Sequence, residues 1–345
     1  MKTLRTIATA LTITLLLVIA PTSCSVIDDD RSDCESGFNV RYEVTLHTNL
    51  TTQVQTVLRS RFETAVADLL EDSLKSIFRE FAHDVDLSFY INNNRRFHDT
   101  HIMDAGQATY DLELPAENYR HLALANIMEE RSVSITTPEQ ADRLFIDQER
   151  ADTISGHTIG IFSARQDMNI IGNVDQSFDV TLYMVNCASI LVVRTDNVDY
   201  RDLKVCSSDF ADGFLVNDSV YLYRTNPVVT DLRVTHPPVE REVFYSVTFP
   251  SCDTAEQAQS QTRDVGSNDS QTGADDSERI WRKFVYVTLP DGSVTRTVIN
   301  VRKPLEAGQV MIIYAYMKPD GSVYSPNVEV GTSVQLNWKG GLIFN

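Results

Sequence analysis

Cys24 stands directly after Pro21-Thr22-Ser23, at the end of an unbroken run of apolar residues and threonines from Ile7 to Ala20. A small residue before a cysteine in that place resembles a bacterial lipobox, in which the cysteine receives a lipid and becomes the first residue of the mature chain. Pro21 occupies a position where leucine is usual. Lys2 and Arg5 supply the positive start of a secretory leader. The apolar run is shorter than the about 20 residues that cross a bilayer as a helix. A plain secretory leader with an incidental cysteine is the alternative.

Four further cysteines, Cys34, Cys187, Cys206 and Cys252, form an even set that an oxidising compartment permits to pair. No two have the C-x-x-C spacing of zinc or thioredoxin-like sites. Cys187 opens one apolar stretch and Cys206 closes the stretch Asp202 to Val205. If those two strands pair through the polar segment Arg194 to Arg201, both thiols lie at one end of a hairpin and a Cys187–Cys206 disulfide is sterically allowed. Two buried free thiols are the alternative.

His98-Asp99-Thr100-His101, with Asp104 nearby, is the nearest thing to a ligand cluster. A helix would let the two histidines share a metal. Beside the turn signal Asn92-Asn93-Asn94 they read instead as a solvated polar loop. There is no G-x-S-x-G, H-E-x-x-H, P-loop or dinucleotide glycine pattern. The expectation is a protein that is not an enzyme, with no catalytic residues, no metal and no cofactor. Trp281 and Trp338, the only tryptophans, read as core; a glycan-binding surface would usually want several exposed aromatics.

The elements that would carry these residues are mostly strands. Phe38 to Leu46 alternates apolar and polar without a break. Val54, Leu58, Phe62, Ala65, Leu69, Ile77 and Phe81 recur at three- and four-residue steps, which predicts an amphipathic helix from about 52 to 82. Val85 to Ile91 and Tyr110 to Leu114 are strand patterns, followed by apolar runs at Tyr119 to Ile127 and Thr158 to Phe162. A second series reads as strands at Phe178 to Val185, Ala188 to Val193, Phe214 to Tyr223, Val243 to Phe249, Trp281 to Leu289, Val294 to Val301 and Val310 to Met317. Pro290-Asp291-Gly292 and Pro319-Asp320-Gly321 are turn signals. Asp253 to Glu278 is rich in Ser, Gln, Asp, Gly and Thr and lacks aromatics, so it reads as a disordered loop. Many short strands with one good helix predict an all-β fold of β-sandwiches. The expected organisation is a leader through residue 23, a tether over 24–35, a sandwich domain over 36–173 and a second over 174–345 that contains the loop 253–278.

At 42% hydrophobic and 23% charged, the chain has material for real cores. It holds 30 basic and 48 acidic residues; two of the basic ones lie in the leader, which leaves a mature net charge of −20. Phosphates would be repelled, so nucleic acid is excluded as a partner.

Several segments together resemble the fimbrillin-associated anchor subunits of Bacteroidales type V pili. They are Asp33-Cys34-Glu35-Ser36-Gly37-Phe38-Asn39-Val40, Asp86-Leu87-Ser88-Phe89-Tyr90, Leu112-Glu113-Leu114-Pro115-Ala116-Glu117-Asn118-Tyr119, and Leu305-Glu306-Ala307-Gly308-Gln309 before Val310-Met311-Ile312-Ile313-Tyr314. Ala116-Glu117 stands where the family has a glycine turn. The resemblance implies two transthyretin-like β-sandwich domains in tandem. It also implies an outer-membrane lipoprotein, lipidated at Cys24, that holds the base of a fimbria to the cell surface and affects its length or assembly. Its partners would be a fimbrial shaft subunit and, through the lipid, the outer membrane. The physical means is strand complementation between neighbouring pilins. Leu342, Ile343 and Phe344, after the glycine pair Gly340-Gly341, would be the donor strand; an ordinary closing strand is the alternative. A tip or stalk subunit, with Arg31 or Arg61 as a cut site, and a glycan-binding surface lipoprotein are the competing functions. Asp28-Asp29-Asp30 resembles a surface-export signal of Bacteroidales lipoproteins, or else is a solvated tether. Asp72-Ser73-Leu74, Asp152-Thr153-Ile154, Asp218-Ser219-Val220 and Asp253-Thr254-Ala255 are similar to the O-glycosylation triplet of the same bacteria, with Thr254 the best exposed.

Overall fold

The computed structural model describes residues 37–46, 64–74, 77, 82–102, 109–136, 138–234, 240–260, 278–326 and 332–335. In chain order the first strands are β1 (Gly37–Leu46), β2 (Asp84–Ile91), β3 (Asn94–Ile102), β4 (Thr109–Pro115), β5 (Asn118–Ala125), β6 (Val133–Thr136), β7 (Phe145–Gln148) and β8 (Thr153–Ser155). Next come β9 (Phe162–Asn169), β10 (Gln176–Met184), β11 (Cys187–Arg194), β12 (Asp202–Ser208), β13 (Gly213–Leu215), β14 (Val220–Leu222), β15 (Val228–Thr230) and β16 (Leu232–Arg233). The last are β17 (Arg241–Thr248), β18 (Trp281–Thr288), β19 (Val294–Val301), β20 (Gln309–Met317), β21 (Val323–Tyr324) and β22 (Thr332–Gln335). Two α-helices occur among the described residues, α1 (Thr64–Leu74) and α2 (Ala255–Ser260). The fold is all-β, built of stacked, sandwich-like sheets.

Four sheets result. The largest runs β3-β2-β5-β9-β10-β1-β4, and a second runs β16-β17-β11-β20-β21 with β22 beside β20. The third runs β19-β18-β12-β15-β8, and the smallest β14-β13-β7-β6. β10 bonds to β1 and β9, so a strand beyond residue 174 completes the sheet of the first half of the chain.

The sheet centred on β11 is covered on both faces. Ala188, Ile190, Val192, Val243, Val247, Val310 and Ile312 face a cluster with β1, β2, β5, β9 and α1. The alternate residues Leu191, Val193, Phe244, Met311, Ile313 and Ala315 join Leu203, Val205, Trp281, Val285 and Val301 of the third sheet in a second cluster. This is why Ala188 to Val193 is an unbroken apolar run: a strand buried on both sides has no wet face to alternate with. A third cluster lies between the other face of β2 and β5 and the smallest sheet, around Leu122, Leu124, Ile146 and Phe214. Trp281 is fully buried and donates from Nε1 to the Lys303 carbonyl at 2.9 Å.

Turn chemistry follows the sequence. Asn92 and Asn93 take the left-handed backbone (φ 49° and 70°) between β2 and β3. Gly292 and Gly321 take positive φ in the β18–β19 and β20–β21 turns, where Asp291 and Asp320 each hold the hydroxyl and N–H of the serine two residues on.

Several expectations change. The described helix is Thr64–Leu74, with Ala67, Leu70 and Leu74 buried; Val54, Leu58, Phe62 and Phe81 lie outside the described residues. Phe214 to Tyr223 is a hairpin rather than one strand, because Ser219 turns the chain at φ 55°. Part of the segment 253–278 is ordered: Ala255–Ser260 is a helix, and Ala258 is fully buried in the second cluster. Thr254 caps it by accepting the Gln257 N–H at 3.2 Å, while Gln257 Oε1 accepts the Asp253 N–H at 2.9 Å. Residues 261–277 lie outside the described residues.

Candidate functional site

β1 is the first described strand after the segment that carries Cys24. It is wedged between two others, parallel to β10 and antiparallel to β4. Its alternation dictates the fit: Val40 is fully buried and lies opposite Leu112, and Phe38, half-buried, lies opposite Leu114. In the ladder β10 pairs with its other neighbour, β9, through Tyr183 and Met184, and Gln176 Nε2 donates to the Asn169 carbonyl at 3.3 Å. β1 therefore ties the edge strand β4 to β10, and β10 links both to the rest of the sheet through β9.

At the other end of the chain, the outer edge of β20 is covered in two pieces. β22 pairs with Gln309 to Ile312, and β21 pairs with Tyr316 and Met317. Among the described residues no strand pairs with Ile313 to Ala315 on that edge. Leu342, Ile343, Phe344 and Trp338 lie outside the described residues, as do Cys24, Cys34, Asp28-Asp29-Asp30, Arg31 and Arg61.

The hairpin expected to join Cys187 to Cys206 does not form. Both edges of β11 are taken, by β17 and β20, so β12 crosses into another sheet. Cys187, Cys206 and Cys252 are all free. Cys187 donates its thiol hydrogen bond to the Thr248 carbonyl at 3.4 Å. Burial pushes the thiols up, to about 12 for Cys187 and Cys252 and about 11 for Cys206. None offers a thiolate near neutral pH, so they are packing groups rather than nucleophiles.

His98 and His101 sit on strand β3, not in a loop. Three residues apart on a strand, they point to opposite faces and cannot share an ion. His98 Nε2 meets Asp86 Oδ2 at 2.9 Å. Among the described residues no group of three or more His, Cys, Asp and Glu side chains could hold a metal. Of the triplet hydroxyls, Thr153 and Thr254 are exposed, while Ser73 is turned back onto the Leu69 carbonyl at 2.9 Å.

The polar features that the sequence does not announce are ion pairs built on buried carboxylates. Asp212 takes the Arg224 Nε at 3.1 Å and both the hydroxyl and the N–H of Thr225 at 2.7 Å. Asp209 takes Arg282 at 2.8 Å, and Asp231 meets Lys283 within the second cluster. A charged residue at an inward position of an alternating strand, as Lys283 is between Trp281 and Val285, was the one available signal.

No curated protein sequence matches the chain. Among solved structures, a candidate polysaccharide-binding protein from Bacteroides thetaiotaomicron shares the fold, with a TM-score of 0.51 and 12% identity, over 87% of this chain and 98% of that one. The fimbrial anchor protein Mfa2 from Porphyromonas gingivalis superposes with a TM-score of 0.46 and 9% identity, over 84% of this chain and 95% of that one. The tip fimbrial protein Mfa3 of the same organism gives a TM-score of 0.43 and 10% identity, over 84% and 98%. The pattern of the fimbrillin-A associated anchor proteins Mfa1 and Mfa2 matches residues 32–266, from just before β1 to just beyond α2, and the chain belongs to that family.

Proposed function

We propose that this protein is an outer-membrane lipoprotein that holds a fimbria to the cell surface. The observation that carries the reading is the family match over residues 32–266, which begins a few residues after Cys24. In this reading Cys24 bears the lipid, residues 24–35 are the tether and β1 ties the tether to the folded body. Among the described residues no helix is long and apolar enough to cross a membrane. The body is two successive sandwich units, the first of which takes in β10. A fimbrial shaft subunit is the partner, joined by strand complementation in which Leu342, Ile343 and Phe344 serve as donor. The role is mechanical and structural, with no catalysis.

The test is Cys24→Ala in the full chain. Release of the protein into the medium together with its fimbriae is the expected result. Undiminished membrane association of the variant would overturn the lipid attachment, and release of the protein without the fimbriae would overturn the anchoring role.

A further inference from the structure

Lys283 and Asp231 have no exposed side-chain surface, and Lys283 Nζ contacts the Asp231 carboxylate at Oδ2. The other described lysines, Lys204, Lys303 and Lys318, are exposed. Lys283 lies on β18, and Asp231 directly follows β15; the two are kept on either side of β12. Ser207 of β12 stands between them. It lies opposite Lys283 in the ladder, its Oγ accepts from Nζ at 2.9 Å, and it donates to Asp231 Oδ1 at 2.8 Å. Around this triad are Val205, Trp281 and Val285 of the apolar cluster, with the Trp281 ring centroid 5.8 Å from Nζ.

We propose that this triad is a self-modification site, at which Lys283 and Asp231 condense to an intramolecular isopeptide bond. Both reactants are already in place in the folded chain. One proton passes from the ammonium to the carboxylate through Ser207 Oγ, which gives a neutral amine and a carboxylic acid. The Nζ lone pair attacks Cγ of Asp231. The bond from Cγ to Oδ1 then breaks as Ser207 relays a second amine proton to that oxygen, and Oδ1 leaves as water. No oxidant, metal or other reactant enters.

Two physical arguments favour the reaction here. Holding amine and carboxyl in contact gives an effective concentration of up to about 10⁵–10⁸ M for well-oriented groups. An ion pair without solvent is also burdened by the desolvation of two charges, whereas the amide carries none. The product ties β15 to β18 across β12.

The test is peptide mapping of the full-length protein after denaturation and digestion with trypsin. The expected product is a branched species that joins residues 225–233 to residues 283–296, uncut after Lys283 and lighter by one water than the two peptides together. Recovery of both segments unlinked, with cleavage after Lys283, overturns the proposal. Lys283→Met must abolish the branched species. Ser207→Ala should slow its appearance by about 100-fold or more if the hydroxyl relays the proton. An unchanged rate in that variant would overturn the relay, and the wild-type map decides the bond even if either variant fails to fold.

Discussion

His157 donates from Nε2 to the side-chain carbonyl of Gln148 at 2.7 Å, with both side chains buried. Asn186 fixes that tautomer. Its Oδ1 accepts the Ile161 N–H at 3.2 Å, which leaves its amide hydrogens for the Ile159 carbonyl at 2.9 Å and His157 Nδ1 at 3.3 Å. Burial pushes His157 down to about 4, against the attraction of Glu130, and pushes His121 down to about 3. Burial alone would raise Glu130, but hydrogen bonds from Ser132 and Thr158 hold its carboxyl below the usual range.

Acid should therefore unfold this protein early. Both histidines have folded values below the ordinary 6.5, so the unfolded chain binds more protons below that pH. Their contribution is complete above about 6.5 and is lost as pH falls toward about 4 and then about 3. Glu130 adds a further loss as its carboxyl is protonated. Urea unfolding at a series of pH values should show the midpoint dropping across this window. A flat midpoint between about pH 7 and pH 4 would contradict the assignment of neutral, buried imidazoles.

Ile312→Ala and Ile313→Ala should each cost about 2–5 kcal/mol. The two residues are neighbours on β20 and point to opposite faces, one into each of two clusters, both at 2% exposure. On a sheet with one wet face, one of the pair would be nearly neutral. Chemical denaturation of both variants distinguishes the cases.

Gly160→Ala should destabilise by about 1–3 kcal/mol. A methyl there runs into the backbone carbonyl of Ile77, which cannot rotate away as a side chain would. Thermal unfolding compared with Gly292→Ala separates a packing clash from a conformational one, since a methyl at Gly292 would meet only Arg201 Nη1, at 4.0 Å, but the residue sits at φ 89°.

Deleting residues 261–277 behind a short linker leaves every described contact in place, and the unfolding midpoint should hardly move, because closure cost changes by only about 0.6 kcal/mol per doubling of loop length. Extending the deletion to 253–278 removes α2 and the buried Ala258, and should lower the midpoint clearly. Equal midpoints for the two deletions would show that α2 contributes nothing to the core.

Truncation after Trp338 tests the donor proposal on its own. The shortened protein should remain folded and lose its co-purifying fimbrial subunit. A destabilised monomer that still holds the fimbria would mean that Leu342, Ile343 and Phe344 pack at home.

Most strands were legible because their physics is local. Alternation marks β1 and β4, and turn residues mark the β2–β3, β18–β19 and β20–β21 connections. Two kinds of feature were not legible. The partner of a strand depends on which edges are free: Ala188 to Val193 looks like any apolar strand, yet β17 and β20 occupy both its edges and send Cys206 to another sheet. Buried polar groups were also hidden, because Lys283, Asp231 and Ser207 lie far apart in sequence and meet only through the order of three strands. His98 to His101 reads as a loop in sequence because a polar edge strand has no apolar stripe to betray it.

The parallel run of β1 beside β10 has a consequence for load. Cross-strand hydrogen bonds lie transverse to the chain direction. Tension drawn along β1 from its Gly37 end shears the ladders on both flanks at once, from Val40 to Leu46 against β10 and from Gly37 to Glu43 against β4. A strand peeled sideways would surrender its bonds one at a time, at low force. Strand β1 thus has the geometry of a mechanical clamp, strongest against a pull along its own axis.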